Sequence, residues 1–92
     1  MAKAMKKRKY TCPVCGYGGL KEAPYNQNIS SYEICPCCGF EFGFDGGNRP
    51  EEFIAFRKRW LDNGAKWFLP RLKPKDWNLY EQLERIKKSK PV

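Results

Sequence analysis

The spacing of apolar positions along the chain changes near its middle. In residues 10–48 apolar side chains come in short aromatic or β-branched runs, such as 32–34 and 40–44, set among seven glycines. Runs this short beside glycine turns predict brief strands. Beyond residue 49 the spacing becomes helical: Phe53, Phe56, Trp60 and Leu61 recur on one face and leave Arg57, Lys58 and Arg59 mainly toward water. Asn48 or Arg49 is placed to cap this helix, Pro50 suits its first turn, Glu51 and Glu52 complement its positive end, and Asn63-Gly64 supplies a stop. A linker, residues 65–75, carries Trp67, Phe68 and two prolines. A second helix then starts near residues 76–78, where Asn78 and Glu81 form a capping-box pattern. Leu79, Tyr80, Leu83 and Ile86 give it an apolar stripe, and it frays in the terminal lysines.

At 92 residues the chain is long enough for one small domain, yet too short to bury a large core without a staple. The expected organisation is a flexible basic tail (1–9), a cysteine-bearing ribbon (10–48) and a helical extension (49–92) packed on the ribbon, together one α+β domain. The net charge of +8 is segregated: +5 in residues 1–9, −3 in residues 10–48 and +6 in residues 49–92. Four thiolates on a divalent ion would add further negative charge to the middle segment. That segment repels phosphate, so any nucleic-acid contact falls to the tail and the helical half. The first residues lack the apolar stretch of a secretory signal, and no run approaches membrane-spanning length. A cytoplasmic protein without a membrane anchor is expected, and in a reducing compartment paired cysteines are metal ligands more often than disulfides.

The cysteines carry the chemistry. Cys12-Pro13-Val14-Cys15-Gly16-Tyr17 and Cys35-Pro36-Cys37-Cys38-Gly39-Phe40 are two nearly matching turns, with nineteen residues between Cys15 and Cys35. Cysteines three apart on a tight turn place both sulfurs on one ion. The following glycine tolerates the positive φ that closes the turn, and the proline fixes φ ahead of it. Cys12, Cys15, Cys35 and Cys38 are therefore the expected ligands of one metal ion per chain. Four thiolates fill a tetrahedron and leave no position for substrate or activated water, which points to structure and not catalysis. Cys37 occupies the position that Val14 fills in the first turn. It is expected outside the ligand set, either as a small residue beside the turn or as a reactive thiol.

Residues 31–40, Ser-Tyr-Glu-Ile-Cys-Pro-Cys-Cys-Gly-Phe, resemble the motif of the bacterial cysteine-rich CPCC family of uncharacterised small proteins. The likeness extends to the first cysteine turn, to residues 42–45 and to the arginine-containing helix, about half of the chain. It implies a metal-binding ribbon and supplies no activity. Each turn is also similar to those of rubredoxin and rubredoxin-like zinc ribbons, which implies a ribbon of short antiparallel strands and admits iron with electron transfer as an alternative to zinc. The shorter spacing and the basic helical half depart from rubredoxin and favour zinc.

The expected function is that of a zinc-stabilised protein-interaction module, with Trp60, Trp67, Phe68 and Trp77 as candidate partner anchors or core residues. A nucleic-acid-binding ribbon is the alternative, with Lys6–Lys9, Arg57, Arg59, Arg71, Lys73 and Lys75 as its contacts; an iron electron carrier is the third reading. No enzyme is expected: the chain has no histidine, and Glu41 and Asp45 have no visible acid-base partner.

Overall fold

The computed structural model describes residues 9–27 and 29–88; of the expected tail only Lys9 falls within this range, and the rest lies outside the described residues. The architecture is α+β. A two-stranded antiparallel sheet pairs β1 (Tyr25–Asn26) with β2 (Ile29–Ser30) in the register Tyr25 to Ser30 and Asn26 to Ile29. It is followed by α1 (Pro50–Asp62), a 3-10 turn (Pro70–Leu72) and α2 (Leu79–Lys88).

The runs expected as strands are reduced to isolated bridges. Ile34 pairs with Glu41 and Phe42 with Gly46, while Tyr10 pairs with Leu20 across the first cysteine turn. The reason is that the turns themselves consume the backbone. Cys12 N–H donates to Tyr17 O (2.7 Å) and Gly16 N–H to Cys12 O (2.9 Å). In the second turn Cys35 N–H donates to Phe40 O (3.0 Å) and Gly39 N–H to Cys35 O (2.9 Å). This repeated pattern, rather than a ladder, satisfies the polar backbone beside the buried sulfurs.

Both turns close through a glycine in the left-handed region, Gly16 at φ +90° and Gly39 at φ +83°. A Cβ on Gly39 would meet only the side chain of Phe68, which is half exposed and able to move. Gly39→Ala is therefore expected to cost about 1–2 kcal/mol, the left-handed penalty alone. At Gly16 the added atom would run into the backbone carbonyl of Gln82 on α2, so Gly16→Ala should cost more. Urea denaturation of the two variants ranks them, and a costlier Gly39→Ala would contradict this packing.

Arg49 takes the cap position of α1 in extended conformation, but its side chain makes no capping bond. A guanidinium has only donors and cannot accept an amide hydrogen. The helix start is held instead by Glu52, whose Oε1 accepts Gly47 N–H at 2.7 Å. At the other end, Gly64 N–H bonds to Leu61 O and Ala65 N–H to Trp60 O, with Gly64 and Ala65 both at positive φ, so the expected stop at Asn63-Gly64 is where α1 ends. Asn78 caps α2, its Oδ1 accepting Glu81 N–H at 3.0 Å.

The core runs through both halves. Val14, Leu20, Phe40 and Phe42 are fully buried with the cysteines, and Phe53, Trp60, Ala65 and Trp67 close over them. Phe40, in the second turn, meets Phe56 edge-on at 4.9 Å and Phe53 at 5.7 Å between ring centroids, anchoring α1. Trp67 meets Tyr17 and Trp77 edge-on, each at 5.6 Å, and so joins the first turn to the segment entering α2. Among the candidate partner anchors, Trp60 and Trp67 are core residues, Trp77 is partly buried against the core and Phe68 is exposed.

The apolar stripe of α2 differs from expectation. Tyr80 is exposed, whereas Gln82 is 4% exposed and lies with Leu79, Leu83 and Ile86 on the i, i+3, i+4, i+7 series that faces the first turn. Among the described residues no helix is long and apolar enough to cross a membrane.

Candidate metal centre

The two turns bring Cys12, Cys15, Cys35 and Cys38 together, with all four sulfurs within 4.8 Å of one another. Two edges of this group are Cys12 Sγ to Cys38 Sγ at 3.8 Å and Cys15 Sγ to Cys35 Sγ at 3.7 Å. A zinc–sulfur bond of about 2.3 Å in a tetrahedron requires a sulfur–sulfur edge of about 3.8 Å, so the group fits such an ion. The cysteines are free thiols, not disulfides. Cys12, Cys15 and Cys35 are fully buried and Cys38 is nearly so, which leaves substrate no route to the cluster.

Four buried sulfurs this close compete for protons. Burial pushes the Cys15 thiol far up, reinforced by its sulfur neighbours. The Cys38 thiol is raised first by its hydrogen bond with Cys12, while hydrogen bonds from Cys12, Cys15 and Cys38 hold Cys35 down as the favoured thiolate. A divalent ion among the four sulfurs would permit all of them to ionise.

Cys37 stands outside the group of four, fully buried, with Gln82 Nε2 at 3.3 Å from its sulfur. Its full burial favours the small residue beside the turn over the reactive thiol, the two readings considered from the sequence. Cys37→Ser is expected to retain the metal and cost less than about 2 kcal/mol, because the hydroxyl can accept the same Gln82 bond in nearly the same volume. Metal stoichiometry by native mass spectrometry checks this; loss of the ion would place Cys37 in the ligand set.

The cluster is gripped from outside by residues the sequence reading left in solvent or did not single out. Arg57, expected on the wet side of α1, is half-buried: its Nε donates to Val14 O at 2.6 Å and its Nη2 to Pro13 O at 3.1 Å. Gln82 Nε2 donates to Cys15 O at 3.0 Å, and Arg85 Nη1 to Gly16 O at 2.8 Å. Four consecutive carbonyls of the first turn are thus held by side chains of the two helices. At the second turn the carbonyls matching those of Pro13 and Val14 belong to Pro36 and Cys37, and they accept the backbone N–H groups of Leu69 (2.8 Å) and Phe68 (2.9 Å). Equivalent positions are covered by a guanidinium on one side and by an extended peptide on the other.

These outer partners fix the orientation of the turns, and the two arginines set positive charge beside a cluster that would be negative when loaded. Arg57 had a readable signal, since it lies four residues after Phe53 and three before Trp60, on the buried face. Gln82 had one in its place between Leu79 and Ile86. Two carboxylates of the cysteine-bearing half accept backbone bonds: Asp45 Oδ2 takes Glu41 N–H at 2.8 Å within a turn, and Glu33 takes the N–H groups of Lys21 and Glu22 from a remote segment.

No family model matches the chain, and no solved structure matches it. The chain is similar to two Bacillus subtilis (strain 168) proteins described as uncharacterized. YozI is 36% identical over 73 residues, covering 62% of this chain and 60% of YozI, and YoaQ is 35% identical over 75 residues, covering 65% of this chain and 64% of YoaQ. The match spans less than two thirds of the length of these curated relatives, and the chain is thus a cysteine-rich protein similar over part of its length to uncharacterised Bacillus proteins.

Proposed function

We propose that this protein is a zinc-stabilised interaction module: one Zn2+ held by Cys12, Cys15, Cys35 and Cys38 keeps a rubredoxin-like ribbon folded, and the assembled surface binds a protein partner in the cytoplasm. The observation that carries this reading is the buried sulfur group, whose measured edges match a tetrahedral tetrathiolate ion and whose closure leaves no coordination position for chemistry. The metal is structural, and the protein is not an enzyme. Membership of the CPCC family is part of the same proposal, resting on the motif of residues 31–40.

The partner reading draws on the exposed large apolar side chains, among them Ile29, Tyr32, Phe44, Phe68, Leu72 and Tyr80. Tyr32 is exposed while its backbone sits in the left-handed region at φ +62°, a strained setting for an aromatic residue. The deciding experiment is native mass spectrometry of protein isolated from its own cells without added metal, which reports the ion, its stoichiometry and any bound partner together. One zinc and a colourless protein are expected. A coloured protein with a reversible one-electron couple would replace the structural reading with an iron carrier. Binding of labelled RNA or DNA is expected to be weak and to fall steeply with salt; tight binding that survives physiological salt would establish the nucleic-acid alternative.

A further inference from the structure

A groove of about 480 Å³ opens beside the first cysteine turn, where residues 17–19, the linker and α2 meet. Its size falls within the range of small-molecule sites. Tyr17, Trp67 and Trp77 give it aromatic walls, the last two crossing edge-on. Arg85 is the charged residue among its lining, and no aspartate or glutamate lines it among the described residues. Lys73 adds a second positive charge at the rim, its Nζ 5.1 Å from the Trp77 ring centroid.

Two further observations bear on what would enter. Arg85 places its Nη1 on Gly16 O, and a guanidinium has five donors in a planar fork, so this bond does not use its full capacity. It lies close over Gly18, where a Cβ would come within 3.2 Å of Nη1; here glycine serves close approach, not a left-handed backbone. The indole Nε1 of Trp67 is buried with no hydrogen-bond partner, whereas those of Trp60 and Trp77 donate to Lys66 O and Gln82 Oε1. A buried donor left unpaired is uncommon, and with almost no exposed surface this N–H reports on the Trp67 wall of the groove without itself meeting a ligand.

We infer that this groove is a binding site for a small aromatic carboxylate, the ring lying against Trp67 and Trp77 and the carboxylate paired with Arg85. The pairing is charge-assisted and planar, which a guanidinium favours over other anion binders. The groove lacks the acidic groups that would repel such an anion, and its lysine rim attracts it. The groove adjoins the first cysteine turn through Gln82 and Arg85, so it needs that turn closed, but it includes no sulfur of the cluster and none of the exposed apolar residues named above. The ligand arrives either as a free small molecule or as the C-terminal aromatic residue of a peptide.

The test is a titration of the metal-loaded full chain, following its three indole N–H signals by NMR. The probes are benzoate, N-acetylphenylalanine and N-acetylphenylalanine amide. The Trp67 signal is expected to move saturably with one or both carboxylates and not with the amide, while the Trp60 signal stays in place. Response to N-acetylphenylalanine alone identifies a peptide terminus, and response to benzoate identifies a free small molecule. Arg85→Gln should weaken binding at least tenfold with the metal retained. Because Arg85 also supports Gly16, Arg85→Lys provides a second variant that keeps the charge and loses the planar fork, and it should weaken binding as well. Equal response to acid and amide, no saturable shift at tens of millimolar, or unchanged affinity in both variants would overturn the site.

Discussion

Cys35→Ser is expected to abolish metal binding and to unfold the cysteine-bearing half of the protein. The hydroxyl is a weak donor where the site offers a thiolate, and a structural tetrathiolate zinc site contributes about 10–16 kcal/mol of apparent binding free energy near neutral pH. That is as large as the whole net stability of a typical small domain, about 5–15 kcal/mol. The effect spreads because the sulfurs lie within the core: Phe40 of the second turn packs on Phe53 and Phe56 of α1, and Tyr17 beside the first turn packs on Trp67 of the linker. Far-ultraviolet circular dichroism should show loss of helix as well as of the ribbon, since Arg57, Gln82 and Arg85 grip carbonyls that hold their positions only while the first turn is closed. Chelation of the wild-type protein should give the same spectrum. If Cys35→Ser kept one metal ion and a native spectrum while Cys37→Ser lost both, the ligand set would have to be redrawn.

Gln82→Leu should cost about 2–4 kcal/mol, a large effect for a polar residue on a short helix. Gln82 is nearly fully buried and its amide is used at both ends: Oε1 accepts Trp77 Nε1–H at 2.7 Å, and Nε2 donates to Cys15 O at 3.0 Å and approaches Cys37 Sγ. Leucine fills similar space but strands the partly buried Trp77 indole donor and the buried carbonyl of a candidate ligand residue, and the unpaired carbonyl carries its desolvation penalty. The loss should appear as a lower urea midpoint and as a change in tryptophan fluorescence. Glu81→Gln, at an exposed neighbouring position, is the comparison and should stay within about 0.5 kcal/mol. A Gln82→Leu variant as stable as Glu81→Gln would mean that α2 is not fastened to the first turn through this residue.

Much of the candidate site was legible because its signal is local. The repeat Cys-Pro-x-Cys-Gly places two sulfurs and a left-handed glycine within five residues, and the same backbone bonds recur in both turns whatever the rest of the chain does. The helix limits were legible for the same reason: Pro50, Asn63-Gly64 and the Asn78 to Glu81 pair act within one turn of helix. The short runs at 32–34 and 40–44 misled, since β-forming residues make a ladder only when their backbone groups are not already bonded in a turn.

What the sequence by itself determined is the pairing of cysteines into two equivalent turns, the α+β order and the segregation of charge, each a property of neighbours along the chain. Only the tertiary structure decided which polar residues would be buried. Arg57 and Gln82 fall on the apolar faces of their helices, but polar side chains have no reason to be buried there until the first turn presents carbonyls that no strand has claimed, which their donors reach across 43 and 67 residues of sequence. The same holds for Trp60 and Trp67, whose type suits an interface or a core equally well; the space left beside the sulfurs made them core. Burial of a polar group depends on a partner being present at hydrogen-bond distance, and distance between remote segments is a property of the folded chain alone.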